Sequence, residues 1–533
     1  MFPAESVLKE GNPMYITQGL KRAVQINSEG IATIDGVRQR TWAEFAERVA
    51  KLAGGFKGLG LSKGGRVAIL ALNGDRYLEY FFAVPWAGGV VVPLNIRLAP
   101  PELTYMLNDS GTEILLVDDV LQAMLPAFSG KLTTVKHIVF AGEGATPEGT
   151  INYEECLALA EAVPDVERGG NEVAGIFYTG GTTGLANGVM LTHDNIISNA
   201  LNVLASVDHA GERWRYLHVA PMFHLADCGS NCSLTMMAST HLFIPKFDIE
   251  AMLTVIQAHN VAATMLVPTM VNMLADFPGV EAYDLTSLRI IYYGASPMPE
   301  AVLARAMVLF PACEFIQGYG MTETSPVITM LEGRYHIFEG PLSGKIASAG
   351  QAVPSVEIKI VDEHDHEVSR GTVGEIITRG PHVMKGYWNK TEETARALRG
   401  GWMHTGDAGY MDGEGFVYIV DRVKDMIITG GENVYSVEVE NVIYQHPAVA
   451  MCAVIGIPSS EWGEAIHAVV VCKEGHNETE TDIIAHCKKR IAGYKCPRSV
   501  EIRREPLPLS GAGKVLKTEL RSPFWKREAR QVQ

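Results

Sequence analysis

The run Tyr178-Thr179-Gly180-Gly181-Thr182-Thr183-Gly184-Leu185-Ala186-Asn187-Gly188 interleaves glycines with threonines directly after an apolar run at 175–178. Glycines let a backbone curl until consecutive amides face one anion, and the threonine hydroxyls add donors and, at Thr182, a metal contact. It is not a Walker loop, because no Gly-Lys-Ser/Thr follows at the required distance. A second run, Gln317-Gly318-Tyr319-Gly320-Met321-Thr322-Glu323-Thr324, sets an aromatic between two glycines with a hydroxyl and a carboxylate close behind. An aromatic can stack on a base, and a carboxylate can hold the Mg²⁺ that bridges phosphates. A third stretch holds His404-Thr405-Gly406-Asp407, then Asp421-Arg422-Val423-Lys424-Asp425, then Thr429-Gly430-Gly431-Glu432-Asn433. Its Asp407 is suited to accept hydrogen bonds from ribose hydroxyls. Near the C-terminus, Ser510-Gly511-Ala512-Gly513-Lys514-Val515 carries a lysine on a Gly/Ser loop. A cation there can offset two repelling anions and the charge that develops at phosphorus.

Taken in order, these runs resemble the motifs of the adenylate-forming superfamily: acyl-CoA synthetases, firefly luciferases and the adenylation domains of peptide synthetases. The resemblance covers about residues 15–521, and the Tyr-Thr-Gly-Gly-Thr-Thr-Gly form is closest to fatty-acid–CoA ligases. It implies that Thr179, Gly180, Gly181, Thr182, Thr183 and Gly184 meet the phosphates of ATP. Gly294, Ala295 and Ser296 would form the adenine-side loop, and Tyr319, flanked by Gly318, Gly320 and Met321, would pack on the adenine. Thr322 would contact the α-phosphate region, Glu323 would hold Mg²⁺ and Asp407 the ribose. Arg422 is implied as a ribose or phosphate contact, Lys424 as the hinge between domains, and Gly430-Gly431 as the passage for the pantetheine arm of coenzyme A. The resemblance gives Lys514 the catalytic role; Lys495 and Lys517 are rivals by type, but neither follows a glycine.

Three positions depart from the family pattern. Ala186 and Asn187 stand where proline and lysine are usual, and Ala512 replaces a threonine. Losing that lysine weakens binding on the pyrophosphate side unless another basic group or Mg²⁺ compensates. Pro221-Met222-Phe223-His224-Leu225 matches the family's gate beside the substrate carboxylate. His224 either orients the acid, shields the adenylate, or is a satisfied core histidine. Asp227 either reads a polar group of the substrate or caps a helix start. Val267 and Pro268, with Gly318, are wall positions of an acyl pocket.

The elements that must position these residues alternate in the first half. Thr41 and Glu44 form a capping box, and Trp42, Phe45, Val49, Leu52 and Phe56 follow at helical spacing. Strand-like runs at 67–72, 90–93, 114–117, 137–140, 175–178, 263–267 and 289–293 are separated by helical stretches, which implies wound α/β layers with largely parallel strands. After about residue 340 short strands at 356–361, 374–378 and 415–420 suggest a small β-rich subdomain. A helical stretch from Ser436 and strands at 450–455 and 468–471 suggest a compact α+β unit. The expected architecture is a large N-terminal α/β domain over 1–421 with that β-rich subdomain, and a mobile C-terminal lid over 422–533.

A chain of 533 residues exceeds a single core. The net charge of -16 argues against nucleic acid as a partner. The eight cysteines are scattered, and Cys228 and Cys232 lack a second pair or nearby histidine for zinc, so a cytoplasmic, reduced protein is expected. Neither a signal-peptide order nor a membrane-length apolar run occurs. Together these readings point to an AMP-forming acyl-CoA synthetase using Mg²⁺, ATP and CoA on a fatty, short-chain or aromatic acid, with a homodimer left open. One alternative is a ligase that loads a carrier protein in trans. The other is a weakened acyl- or nucleotide-binding protein, suggested by Asn187.

Overall fold

The computed structural model describes residues 13–179, 186–207, 213–422, 425–429, 432–459, 461–511 and 513–531. The chain divides into two compact units. The first comprises Met1–Lys246, Met321–Val327 and Gly380–Arg396; the second comprises Phe247–Gly320, Ile328–Arg379 and Ala397–Gln533.

In the first unit the capping box at Thr41 and Glu44 forms, and the helix Trp42–Gly58 buries Trp42, Phe45, Val49, Leu52 and Phe56 completely. It packs beside the helix Asp75–Ala87, whose long apolar run is buried all round. The main sheet pairs Arg66–Leu70 in parallel with Val90–Pro93 and Thr112–Val117, and the latter with His137–Phe140. Its other side departs from the parallel expectation. Val173–Thr179 runs parallel to Val90–Pro93 but antiparallel to Asn187–Thr192, with Thr179 opposite Asn187. Gly386–Tyr387 adds a further antiparallel pairing, Gly386 opposite Met190 and Tyr387 opposite Val189. Strand polarity depends on which strand the chain returns to, which local apolar runs do not encode.

In the second unit Ala263–Leu266, Ile290–Gly294 and Glu314–Gly320 are parallel neighbours. The β-rich subdomain is a four-stranded antiparallel sheet of Glu357–Val361, Gly374–Arg379, Met403–Met411 and Val417–Arg422. The C-terminal part pairs Val449–Ser459 with Gly463–Cys472 in a long hairpin, flanked by the helices Ser436–Tyr444 and Glu480–Lys488. Its own core includes Ile427, Val439, Ile443, Val454, Ile466, Val470 and Ile483. Among the described residues no helix is long and apolar enough to cross a membrane.

Candidate active site

In the second unit, the strand Ile290–Gly294 ends on a glycine paired with Gly318 of the parallel strand Glu314–Gly320. Gly294 lies opposite Gly318, so near that a Cβ on Gly294 would fall 2.2 Å from the Gly318 carbonyl oxygen. The next residue, Ala295, holds φ +69°, a left-handed conformation that an L side chain adopts at a cost and that recurs at ligand-facing turns. Strand C-termini of this kind are where α/β sheets present ligand sites. Gly294→Ala should therefore cost about 2 kcal/mol or more, because backbone on the neighbouring strand cannot step aside as a side chain can. A thermal midpoint unchanged from the parent would contradict this.

Tyr319 and Asp407 meet in the same unit. The buried phenol donates to the Asp407 carboxylate at 2.9 Å, and Arg422 Nε lies 3.3 Å from the carboxylate's other oxygen. Burial, then the Asp407 charge, pushes the Tyr319 phenol well above its ordinary range, so it stays neutral and donates. The turn carrying Asp407 is braced from both sides. The Thr405 hydroxyl donates to the Ile376 carbonyl and accepts from the Asp407 amide, while Glu375 accepts from the Gly406 amide. Glu375, Asp365 and His404 are spaced as metal ligands could be, but Arg399 pairs with both carboxylates at 3.0 and 3.2 Å, which makes the group an ion-pair cluster.

Arg422 ends its strand two residues before Lys424, which lies outside the described residues, as do Gly430 and Gly431. What flanks them is ordered by Asp421. Its carboxylate accepts from the Arg422 amide at 2.7 Å and from the Ser436 amide, at the start of the following helix, at 2.6 Å.

Lys514 follows Gly513, whose φ is +75°. The Ser510 amide donates to the Lys514 carbonyl at 2.7 Å, and the Lys514 amide donates to the Ser510 hydroxyl at 3.1 Å, closing a tight turn. A Cβ at Gly513 would reach the Val267 and Thr269 side chains at 3.0 and 3.2 Å, so the lysine-bearing turn lies against the segment holding Val267 and Pro268. Both rival lysines are otherwise engaged. Lys517 pairs with Glu440 and donates to the Ser436 hydroxyl, and Lys495 pairs with Glu438.

In the first unit, Thr322, Glu323 and Thr324 form a single 3₁₀ turn, entered by Met321, whose amide donates to the Thr324 hydroxyl. Glu323 is buried and accepts a hydrogen bond from the Tyr387 phenol at 2.9 Å. Burial, then the Glu323 charge, raises the Tyr387 pKa, so the phenol stays neutral and donates. A buried carboxylate held by a neutral donor fits a Mg²⁺ ligand. Gly180, Gly181, Thr182, Thr183 and Gly184 lie outside the described residues; Thr179 and Asn187 pair at the strand ends on either side.

His224 precedes the helix Leu225–Met236 as its N-cap position and lies against Phe223, ring centroids 4.4 Å apart. Asp227 belongs to a different setting. Its carboxylate lies 2.7 Å from His218 Nδ1, His218 Nε2 is 3.0 Å from His241 Nδ1, and His241 Nε2 is 3.2 Å from the Thr235 hydroxyl. All four side chains are fully buried. The partly open positions in the first half of this helix are instead Ala226, Gly229 and Ser230, all small. Asp227→Ala should lower the unfolding free energy by about 3 kcal/mol, read from the urea midpoint, since removing one partner strands His218 in the core. A variant of parental stability would refute that role.

Two residues here carried no sequence signal. Tyr387, on Glu323, belongs to a two-residue strand far along the chain, and Lys390, whose ammonium donates to Asn187 Oδ1 at 2.7 Å, lies three residues beyond it. Only its pairing with Asn187–Thr192 brings them in.

The chain matches the family described as AMP-binding enzyme over residues 20–388 and the AMP-binding enzyme C-terminal domain over 438–514. It is 40% identical over 507 residues to a feruloyl-CoA synthase of Amycolatopsis, covering 94% of this chain and 98% of that one. It is 34% identical to a fatty acid–[acyl-carrier-protein] ligase of Streptomyces coeruleorubidus, covering 93% of each. Among solved structures, ATP-bound MatB of Rhodopseudomonas palustris is 29% identical and superposes with a TM-score of 0.84, covering 96% of this chain and 99% of that one. This protein therefore belongs to the AMP-binding enzyme family.

Proposed function

We propose that this AMP-binding enzyme adenylates an aromatic carboxylic acid and transfers the acyl group to coenzyme A. The chain is an AMP-forming acid–thiol ligase. The observation that carries the reading is the neutral Tyr319 phenol on the Asp407 carboxylate, with Arg422 on its other oxygen, in a chain segment that supplies buried Glu323 four residues later. Such a set suits an adenosine followed by a metal-bound phosphate. The 40% identity to a feruloyl-CoA synthase supports an aromatic acid.

In the first half-reaction a carboxylate oxygen attacks the α-phosphorus of ATP, the bond to the bridging oxygen breaks, and pyrophosphate leaves. Tyr319 and the loop Gly294-Ala295-Ser296 would hold the adenine, Asp407 the ribose hydroxyls, and Thr322 the α-phosphate. Lys514 would lie between the carboxylate and the α-phosphate, reducing their repulsion and the charge at phosphorus. Glu323 and Thr182 would hold Mg²⁺, which when bound draws charge from the leaving pyrophosphate. In the second half-reaction the thiol attacks the acyl carbon and AMP leaves. Lys424 and Gly430-Gly431 are assigned to the change between the two, as hinge and pantetheine passage, with residues 422–533 as the moving domain. The free cysteines are consistent with a cytoplasmic location.

The substrate test is a panel of arylpropenoic, arylacetic and fatty acids offered with Mg·ATP and either CoA or an acyl carrier protein. AMP and CoA thioester are expected from the aromatic acids. A preference for fatty acids, or thioester only on the carrier protein, would overturn the substrate or the acceptor, respectively.

A further inference from the structure

We propose that Lys390 supplies the fixed cation for the β- and γ-phosphates of ATP, in place of a lysine at position 187. This rests on the adenylation reading above. A short strand pairing and the turn that follows it make the placement. Gly386 faces Met190, Tyr387 faces Val189, and the Trp388 amide donates to the Gly188 carbonyl at 2.7 Å. Beyond Tyr387 the chain turns at Asn389, whose φ is +55°, and the Lys390 amide donates to the Tyr387 carbonyl at 3.3 Å, so the turn rather than the ladder brings Lys390 beside Ala186 and Asn187, where the second strand begins. The ammonium donates to Asn187 Oδ1 at 2.7 Å and reaches the Ala186 carbonyl at 3.4 Å.

Both partners are neutral, so the full positive charge survives. An ammonium has three donors, and among the described residues no carboxylate pairs with Lys390. Its backbone is fixed too. The Thr394 amide and hydroxyl both bind the Lys390 carbonyl, and the Thr394 hydroxyl accepts from the Tyr387 amide. One short segment thus carries the phenol that holds Glu323 and the ammonium that holds Asn187. Asn187 orients the lysine through its amide oxygen. A lysine at 187 would instead set two ammonium groups against each other, so the unusual asparagine and Lys390 belong together.

The test is equilibrium binding of Mg·ATP and of AMP to the full chain without acid substrate. AMP lacks the β- and γ-phosphates, so it reports the adenosine contacts alone. Lys390→Gln keeps hydrogen-bonding capacity but loses the charge; it should weaken Mg·ATP about ten- to hundredfold and leave AMP within about twofold. Lys390→Arg should stay near the parent. Asn187→Lys alone should not tighten ATP, whereas Asn187→Lys with Lys390→Gln should recover to within about threefold of the parent. Unchanged ATP affinity in Lys390→Gln, or an equal loss for ATP and AMP, would overturn the proposal. If the parent binds neither nucleotide, the adenylation reading itself fails and takes the proposal with it.

Discussion

Lys514→Ala is expected to lose adenylation by about 10²–10³-fold, the usual loss when one preorganised donor to a developing charge is removed. Thioester formation from supplied acyl adenylate and CoA should fall by less than about fivefold. The asymmetry follows from charge. The first half-reaction joins two anions, and a cation beside them lowers the barrier. In the second a thiol meets an acyl carbon already bonded to phosphate, and no carboxylate repulsion remains. Lys495 and Lys517 are held by Glu438 and Glu440. The turn that bears Lys514 rests on Val267 and Thr269. Equal loss in both half-reactions would remove the assigned role.

Glu323→Gln is expected to lower adenylation about 100-fold and to raise the Mg²⁺ concentration for half-maximal rate at least tenfold. The amide oxygen can still accept from Tyr387, so the turn from Thr322 to Thr324 and the thermal midpoint should be preserved. What is lost is the negative charge at a buried position, which a divalent cation requires of its ligands. Half-saturation by Mg²⁺ at the parental concentration would show that the carboxylate serves the fold rather than the metal.

How much of this was legible in the sequence depends on the range of the interaction. The capping box at Thr41 and the helix behind it are local, and both form as read. The antiparallel return of Asn187–Thr192 is not local, and the apolar alternation gave no hint of it. Asp227 shows the same limit in a side chain. Its place in a helix was readable, but its partner His218 sits on a neighbouring strand, so neither a cap nor a substrate contact describes where the carboxylate points. The departure at Asn187 was visible at once, since a residue type missing from a pattern needs no coordinates. Its companion Lys390 was not, because some two hundred residues and a two-residue strand separate them.

The central claim is that a carboxylate oxygen attacks the α-phosphorus. It is tested most directly by supplying the aromatic acid with both carboxylate oxygens as ¹⁸O, together with Mg·ATP and CoA, and weighing the products. One ¹⁸O is expected in AMP and none in pyrophosphate, with one acyl-CoA formed per AMP. Release of ADP and phosphate, or AMP free of label, would contradict the account.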